Sequence, residues 1–149
     1  MIPYTNKFIL QKKFRRFFIL VGILLTACSV TEDPRALASL DFSLTYDGER
    51  CQPYESFVPI GKDVEITLIN NSDDDITWYL TFLPFSGDVR EQYPDNILAV
   101  VKAPAQEATI TTFKAPYLPG KYSSFCSEDN HLDKVALTYL LVVQPYEED

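Results

Sequence analysis

The sequence predicts an all-β domain, a sandwich of about seven to eight short strands, and three observations carry that prediction. Residues 64–70, Val-Glu-Ile-Thr-Leu-Ile-Asn, alternate apolar and polar side chains with the period of a half-buried strand. Turn-forming clusters at Asp47-Gly48, at Asn71 to Asp75 and at Pro119-Gly120 punctuate the chain at short intervals. No stretch sustains an apolar repeat of helical period and helical length. The 149 residues amount to one domain, and 46% hydrophobic with 13% aromatic residues suffices for one packed core.

The amino-terminal segment precedes that domain and differs from it in charge. Lys7, Lys12, Lys13, Arg15 and Arg16 make the first 27 residues purely basic. The rest therefore carries eight basic against 21 acidic residues, a side-chain sum of −13 within an overall net charge of −8. Residues 17–25 form an apolar run of nine, well short of the roughly 18–20 needed to span a bilayer. A basic region, a short apolar run and then small residues are the pattern of an export signal. The run ends in Leu25-Thr26-Ala27-Cys28, which resembles the lipobox of bacterial lipoproteins at all four positions. That resemblance implies cleavage before Cys28, a diacylglycerol on its thiol and an acylated amino terminus. Two or three acyl chains anchor stably where one is marginal. The expected organisation is a lipoprotein signal peptide over 1–27, a lipidated cysteine and polar tether over 28–39, a folded domain over 40–145 and an acidic tail over 146–149. Its expected location is extracytoplasmic, held by lipid at the cell membrane or the outer membrane.

Within the domain, strands are predicted in order. Residues 41–46 run up to the Asp47-Gly48 turn, and 58–60 form a weaker candidate. The alternating run 64–70 leads into the acidic turn. Residues 76–83 are aromatic and β-branched and stop at Pro84, and 98–102 are again weaker. A threonine-rich alternation covers 108–113, 121–126 follow Pro119-Gly120, and 135–143 form a long pattern stopped by Pro145. The stretch 86–96 is the one place for a helical turn. Trp78, Tyr79, Phe82 and Phe85 cluster in sequence, so alternate members face the core and the others form an outward aromatic surface or pack as core themselves.

The carboxy-terminal third resembles a cupredoxin. Pro119-Gly120-Lys121-Tyr122-Ser123-Ser124-Phe125-Cys126 leads a turn into a strand ending in cysteine, His131 follows on a loop, and one strand closes the domain. Blue copper proteins end in a similar way, with the cysteine and the histidine as copper ligands. Cys126-Ser127-Glu128 with Asn130-His131 is also similar to the binuclear copper loop of cytochrome oxidase subunit II. Gly61-Lys62-Asp63-Val64 up to Asn70 resembles the strand before the first histidine ligand. The resemblance spans roughly residues 40–143 and implies a cupredoxin-like Greek-key β-sandwich.

The ligand set departs from the pattern. The first histidine is due near 76–78, which read Ile76-Thr77-Trp78, and the methionine due after His131 is replaced by Leu132-Asp133-Lys134-Val135. Cys126 and His131 alone are left of a set needing two histidines and a thiolate. No metal is therefore expected. Copper held by Cys126 and His131, with Glu128 or Asp129 as an unusual ligand, is the alternative. Lipidation consumes Cys28 and leaves Cys51 and Cys126, an even pair in an exported domain. The resemblance to small lipoproteins with a cupredoxin-like domain, in which a cysteine follows the first strand and another ends the Pro-Gly-x-Tyr strand, implies a Cys51–Cys126 disulfide. In such a sandwich the first and penultimate strands lie side by side.

Composition excludes other classes. Clustered Lys and Arg are absent from the domain, so nucleic acid is not an expected partner. With one histidine and no recognisable serine motif, no Ser-His-Asp set is readable and no enzyme is expected. Asp73-Asp74-Asp75 lacks the spacing of an EF-hand and reads as a solvated turn. The expectation is a non-enzymatic binding or structural module of the cell envelope, its partners the membrane and an envelope protein.

Overall fold

The computed structural model describes residues 33–85, 94–129 and 131–144, with backbone alone at 131–133. Nine strands are present among them: β1 (Asp41–Tyr46), β2 (Cys51–Gln52), β3 (Glu55–Pro59), β4 (Asp63–Asn70), β5 (Ile76–Thr81), β6 (Ile97–Ala103), β7 (Ala108–Lys114), β8 (Gly120–Glu128) and β9 (His131–Val143). They form a sandwich of two sheets, one in the order β2-β1-β4-β7 and the other in the order β3-β9-β8-β5-β6. β1 runs parallel to β4 and β3 parallel to β9, because the chain between each pair has crossed to the other sheet. The expected signal peptide over 1–27 and the expected lipidation site Cys28, with the rest of 1–32, lie outside the described residues, as do 86–93, 130 and the expected acidic tail.

Alternation sets the core. β4 buries Val64, Ile66, Leu68 and Asn70, and β1 turns Phe42, Leu44 and Tyr46 the same way. From the facing sheet come Ile76, Trp78 and Leu80 of β5, Tyr122 and Cys126 of β8, and Leu140 and Val142 of β9. Trp78 is fully buried, and its ring lies 6.3 Å from Phe42 and 5.6 Å from Phe113 by centroid, so one side chain of one sheet packs between two of the other. Edge and tilted ring contacts of this kind add to plain area burial. Of the aromatic cluster, Trp78 is thus core. Tyr79 points the opposite way and stacks on Phe125 at 5.1 Å, Phe85 covers Phe125 at 4.5 Å, and Phe82 is exposed.

Several boundaries differ from the sequence reading, each for a physical reason. β2 is two residues long and carries no periodicity to detect; pairing with Thr45 and Tyr46 makes it a strand. β5 stops at Thr81, where a register shift meets the side chain of Asn96, whose Oδ1 accepts from the Leu83 N–H while its carbonyl accepts from Phe82. Of the helical turn expected over 86–96, Pro94–Asn96 forms a 3-10 turn. Residues 34–37 also form a 3-10 turn, in which the Asp33 carboxylate accepts from the Arg35 N–H. The Ser39 N–H donates to the Phe57 carbonyl, so residue 39, expected to end a tether, is already joined to β3.

The connection from β3 to β4 requires glycine. Gly61 adopts φ +62°, and a Cβ there would sit 2.9 Å from the Tyr117 ring, while its N–H donates to Pro116.

Candidate functional site

The residues singled out by the sequence gather where β1, β2, β5, β8 and β9 meet. Cys51 of β2 and Cys126 of β8 are joined by a disulfide with Cα atoms 6.2 Å apart, and both cysteines are buried. The expectation that the first and penultimate strands lie side by side is corrected here. β1 and β8 belong to opposite sheets, and the disulfide crosses the sandwich from β2, the short edge strand beside β1. A two-residue strand at a sheet edge brings Cys51 over the interior, which adjacency within a sheet would not do.

Cys126 does not end its strand either. β8 continues through Ser127 to Glu128, paired on one side with Thr77 and Ile76 of β5. β9 begins at His131, whose backbone pairs with Glu128, so His131 opens a strand and is not a loop residue; its side chain lies outside the described residues. Two residues, Asp129 and Asn130, make the whole connection. Hydrogen bonding along β5 favours extending the ladder to its end over leaving a wide loop.

Of the candidate ligands, Cys126, Glu128 and Asp129 have described side chains, and each is engaged with another residue. Glu128 is 3% exposed, with Oε1 accepting from the Tyr46 hydroxyl at 3.1 Å and Oε2 from Lys134 Nζ at 3.0 Å. The ammonium end of Lys134 reaches solvent while the carboxylate does not, so this ion pair seals a buried charge from its open side. Burial first, and then the Glu128 charge, push the Tyr46 phenol well above its ordinary value of 10.0. Asp129 accepts from the Thr77 hydroxyl at 2.6 Å and from Lys102 Nζ at 3.2 Å. Ile76, fully buried, occupies the region where the resemblance puts the first histidine. Among the described residues no three His, Cys, Asp or Glu side chains converge on one point.

Asn70 organises the rest of this end. Its Nδ2 donates to the carbonyls of Asp74, Ala103 and Pro104, and its Oδ1 accepts from the Ser72 N–H and hydroxyl. The acidic turn is therefore folded around a buried amide. Asp75 accepts from the Ala105 N–H, and Gln106, held at φ 59°, donates to Asp73. The carboxylates of Asp73 and Asp75 face solvent but serve the joint between the β4–β5 and β6–β7 turns.

Sequence reasoning missed Tyr46, Asn70 and Lys134, and named Glu128 only as an alternative copper ligand, not as the buried partner of Tyr46 and Lys134. Parity was the available signal. Tyr46 and Asn70 fall on the inward positions of their strands, and Glu128 stands two residues after inward Cys126. A carboxylate at an inward position needs a donor partner.

No family model matches the sequence, and no curated protein does. Solved structures match the fold. Dithionite-reduced auracyanin from the photosynthetic bacterium Roseiflexus castenholzii superposes with TM-score 0.58 at 21% identity, covering 71% of this chain and 98% of that one. Auracyanin A, described as a blue copper protein from the green thermophilic photosynthetic bacterium Chloroflexus aurantiacus, gives 0.56 at 23%, covering 69% and 98%. Rusticyanin from Thiobacillus ferrooxidans gives 0.51 at 17%, covering 71% and 79%. At these identities the likeness establishes the fold, which is that of the cupredoxins.

Proposed function

We propose that the protein is a lipid-anchored extracytoplasmic cupredoxin-like module without a complete type 1 copper site, acting in the cell envelope by binding or by structure and not by catalysis. The single observation that carries this reading is the Cys51–Cys126 disulfide. Blue copper chemistry needs a thiolate at the end of the Pro-Gly-x-Tyr strand, and here that sulfur is spent on a covalent bond. Glu128 and Asp129, the carboxylate ligand candidates, are satisfied by Tyr46, Lys134, Thr77 and Lys102. The lipobox-like Leu25-Thr26-Ala27-Cys28 supports the anchor, and a disulfide suits an oxidising compartment.

Thiol titration of the unreduced, denatured mature protein tests the reading, with no free thiol as the expected result. Copper added to the unreduced protein should produce no intense visible thiolate-to-copper band. Two free thiols, or a strong band that disappears in Cys126→Ser, would overturn it. For the anchor, radiolabelled palmitate should enter the wild-type chain and not Cys28→Ser.

The copper named in the description of auracyanin A favours a second reading, a copper-binding or electron-transfer protein using Cys126 and His131. It requires the disulfide to open first. Copper binding confined to the reduced protein would support it.

A further inference from the structure

Among the described residues, part of β9 has a sheet neighbour on one side only. β9 pairs with β8 at His131 and from Val135 to Val142, but β3 accompanies it only from Tyr139 to Val143. The reason lies in the chain path. Immediately before β3, the turn at Pro53-Tyr54 carries the backbone across from β2, which belongs to the other sheet. Beside the earlier residues of β9 there is consequently a gap in place of a strand.

That gap is a groove of about 480 Å³, with Glu49 to Tyr54 along one wall and Val135 to Leu137 along the other. Cys51 belongs to the first wall, and its partner Cys126 pairs with Ala136 of the second, so the disulfide ties the two walls together. The N–H of Tyr139 donates to the Tyr54 carbonyl, which fixes the direction of the backbone groups on this strand. Successive residues alternate direction, so the N–H and C=O groups of Leu137 and Val135 point the same way, into the groove. The register shift of the β8–β9 ladder lies at Ser127/Glu128, before Val135, so the alternation from Val135 to Tyr139 is uninterrupted.

An open strand edge with paired donors and acceptors is a template for another strand. We propose that this edge, at Val135 and Leu137, takes an extended, uncharged-to-basic segment of another exported polypeptide as an added strand. Only an extended backbone can meet alternating groups on one edge. Leu137 and Tyr54, 41% and 57% exposed, flank the edge and offer apolar contact to alternate side chains of the visitor. Charge selects between visitors. Beyond residue 27 the side chains sum to −13, so a second copy or an acidic peptide approaches against like charge, and a neutral or basic segment does not. The covalent tie between the walls keeps the groove formed before binding, which lowers the ordering cost. This inference rests on the binding-module reading and supplies its surface.

The test is amide hydrogen exchange on the full-length chain in mild detergent, with acetyl-Lys-Val-Thr-Val-Thr-Lys-amide as the probe. Exchange at Val135 and Leu137 is expected to slow by about tenfold or more at saturating peptide. A twin with glutamate in place of both lysines should bind about tenfold more weakly, and a twin with proline at its centre should give no protection. Leu137→Pro removes an edge donor. Leu137→Lys changes an exposed side chain, keeps the fold and blunts the edge with a charge, so both variants should lose the protection. Absence of protection in the wild-type chain, or protection that survives Leu137→Lys, overturns the proposal. Protection that appears without peptide as the protein sediments at twice its mass also overturns it, by making a second copy the occupant. The thiol count and copper band judge the module reading separately, so each can fail alone.

Discussion

The Phe42–Trp78–Phe113 region and the Tyr46–Glu128–Cys126 region both join the same two sheets, but by different physics. The first is a stack of rings at centroid distances of 5.6 to 6.3 Å. Such contacts are numerous, weak and tolerant of small shifts. The second consists of a covalent bond and a buried carboxylate with one phenol and one ammonium. Those ties are few and directional, and removing one partner leaves the other unsatisfied. A sandwich needs the first kind of joint to exist. The second kind ties β2 and β8 together at one end of the sandwich, where Cys126, Glu128 and Asp129 lie.

Breaking the ring joint has the largest expected effect. Trp78→Ala deletes a fully buried indole between two rings and should cost about 4–5 kcal/mol in denaturant unfolding. A loss below about 2 kcal/mol would mean the two rings close over the space. Next comes the disulfide, whose partners are 75 residues apart. Cys51→Ala with Cys126→Ala should lower stability by about 4 kcal/mol in the chain-entropy model, while far-ultraviolet circular dichroism stays all-β. If the double variant loses its β signal, the ring joint is not sufficient for the fold and the comparison fails.

Tyr46→Phe sharpens the contrast at smaller scale. It removes one donor from a buried carboxylate and should cost about 2 kcal/mol, read by thermal or urea unfolding. Its pH dependence is the smallest effect and the most specific. Because the folded phenol is held above its ordinary 10.0, it keeps its proton where the unfolded chain has begun to lose it. The stabilisation is complete below pH 10 and is lost as pH rises beyond it, by roughly 1 kcal/mol between pH 10 and 11. Tyr46→Phe should flatten that decline relative to wild type in unfolding curves measured across pH 9 to 11. Parallel declines in the two proteins would assign the effect to other groups, among them Tyr122, whose phenol burial also raises.

Much of the sandwich was legible because strand alternation is a local signal. Residues 41–46 and 64–70 are β1 and most of β4, and the weak candidates at 58–60 and 98–102 overlap β3 and β6. β2 was illegible because two residues have no period. The end of β8 was misread because Cys126 looks terminal in sequence while Ile76 and Thr77 supply the pairing that extends it. Of the site, the two cysteines were named from their even count in an exported domain and a family resemblance. Tyr46, Lys134 and Asn70 were not, since nothing local says which partner an inward polar residue will meet.

By itself the sequence determined what repeats along the chain: which residues alternate, where turns interrupt them, and that a basic apolar segment precedes an acidic domain. Each of these depends on neighbours a few residues away. The tertiary structure alone decided which strands share a sheet, that Cys51 reaches Cys126 across the sandwich, that Glu128 pairs with Lys134 and accepts from Tyr46, and that β3 accompanies β9 only from Tyr139 on. Those outcomes join residues as far apart as Glu55 and Tyr139, and periodicity carries no information over that distance.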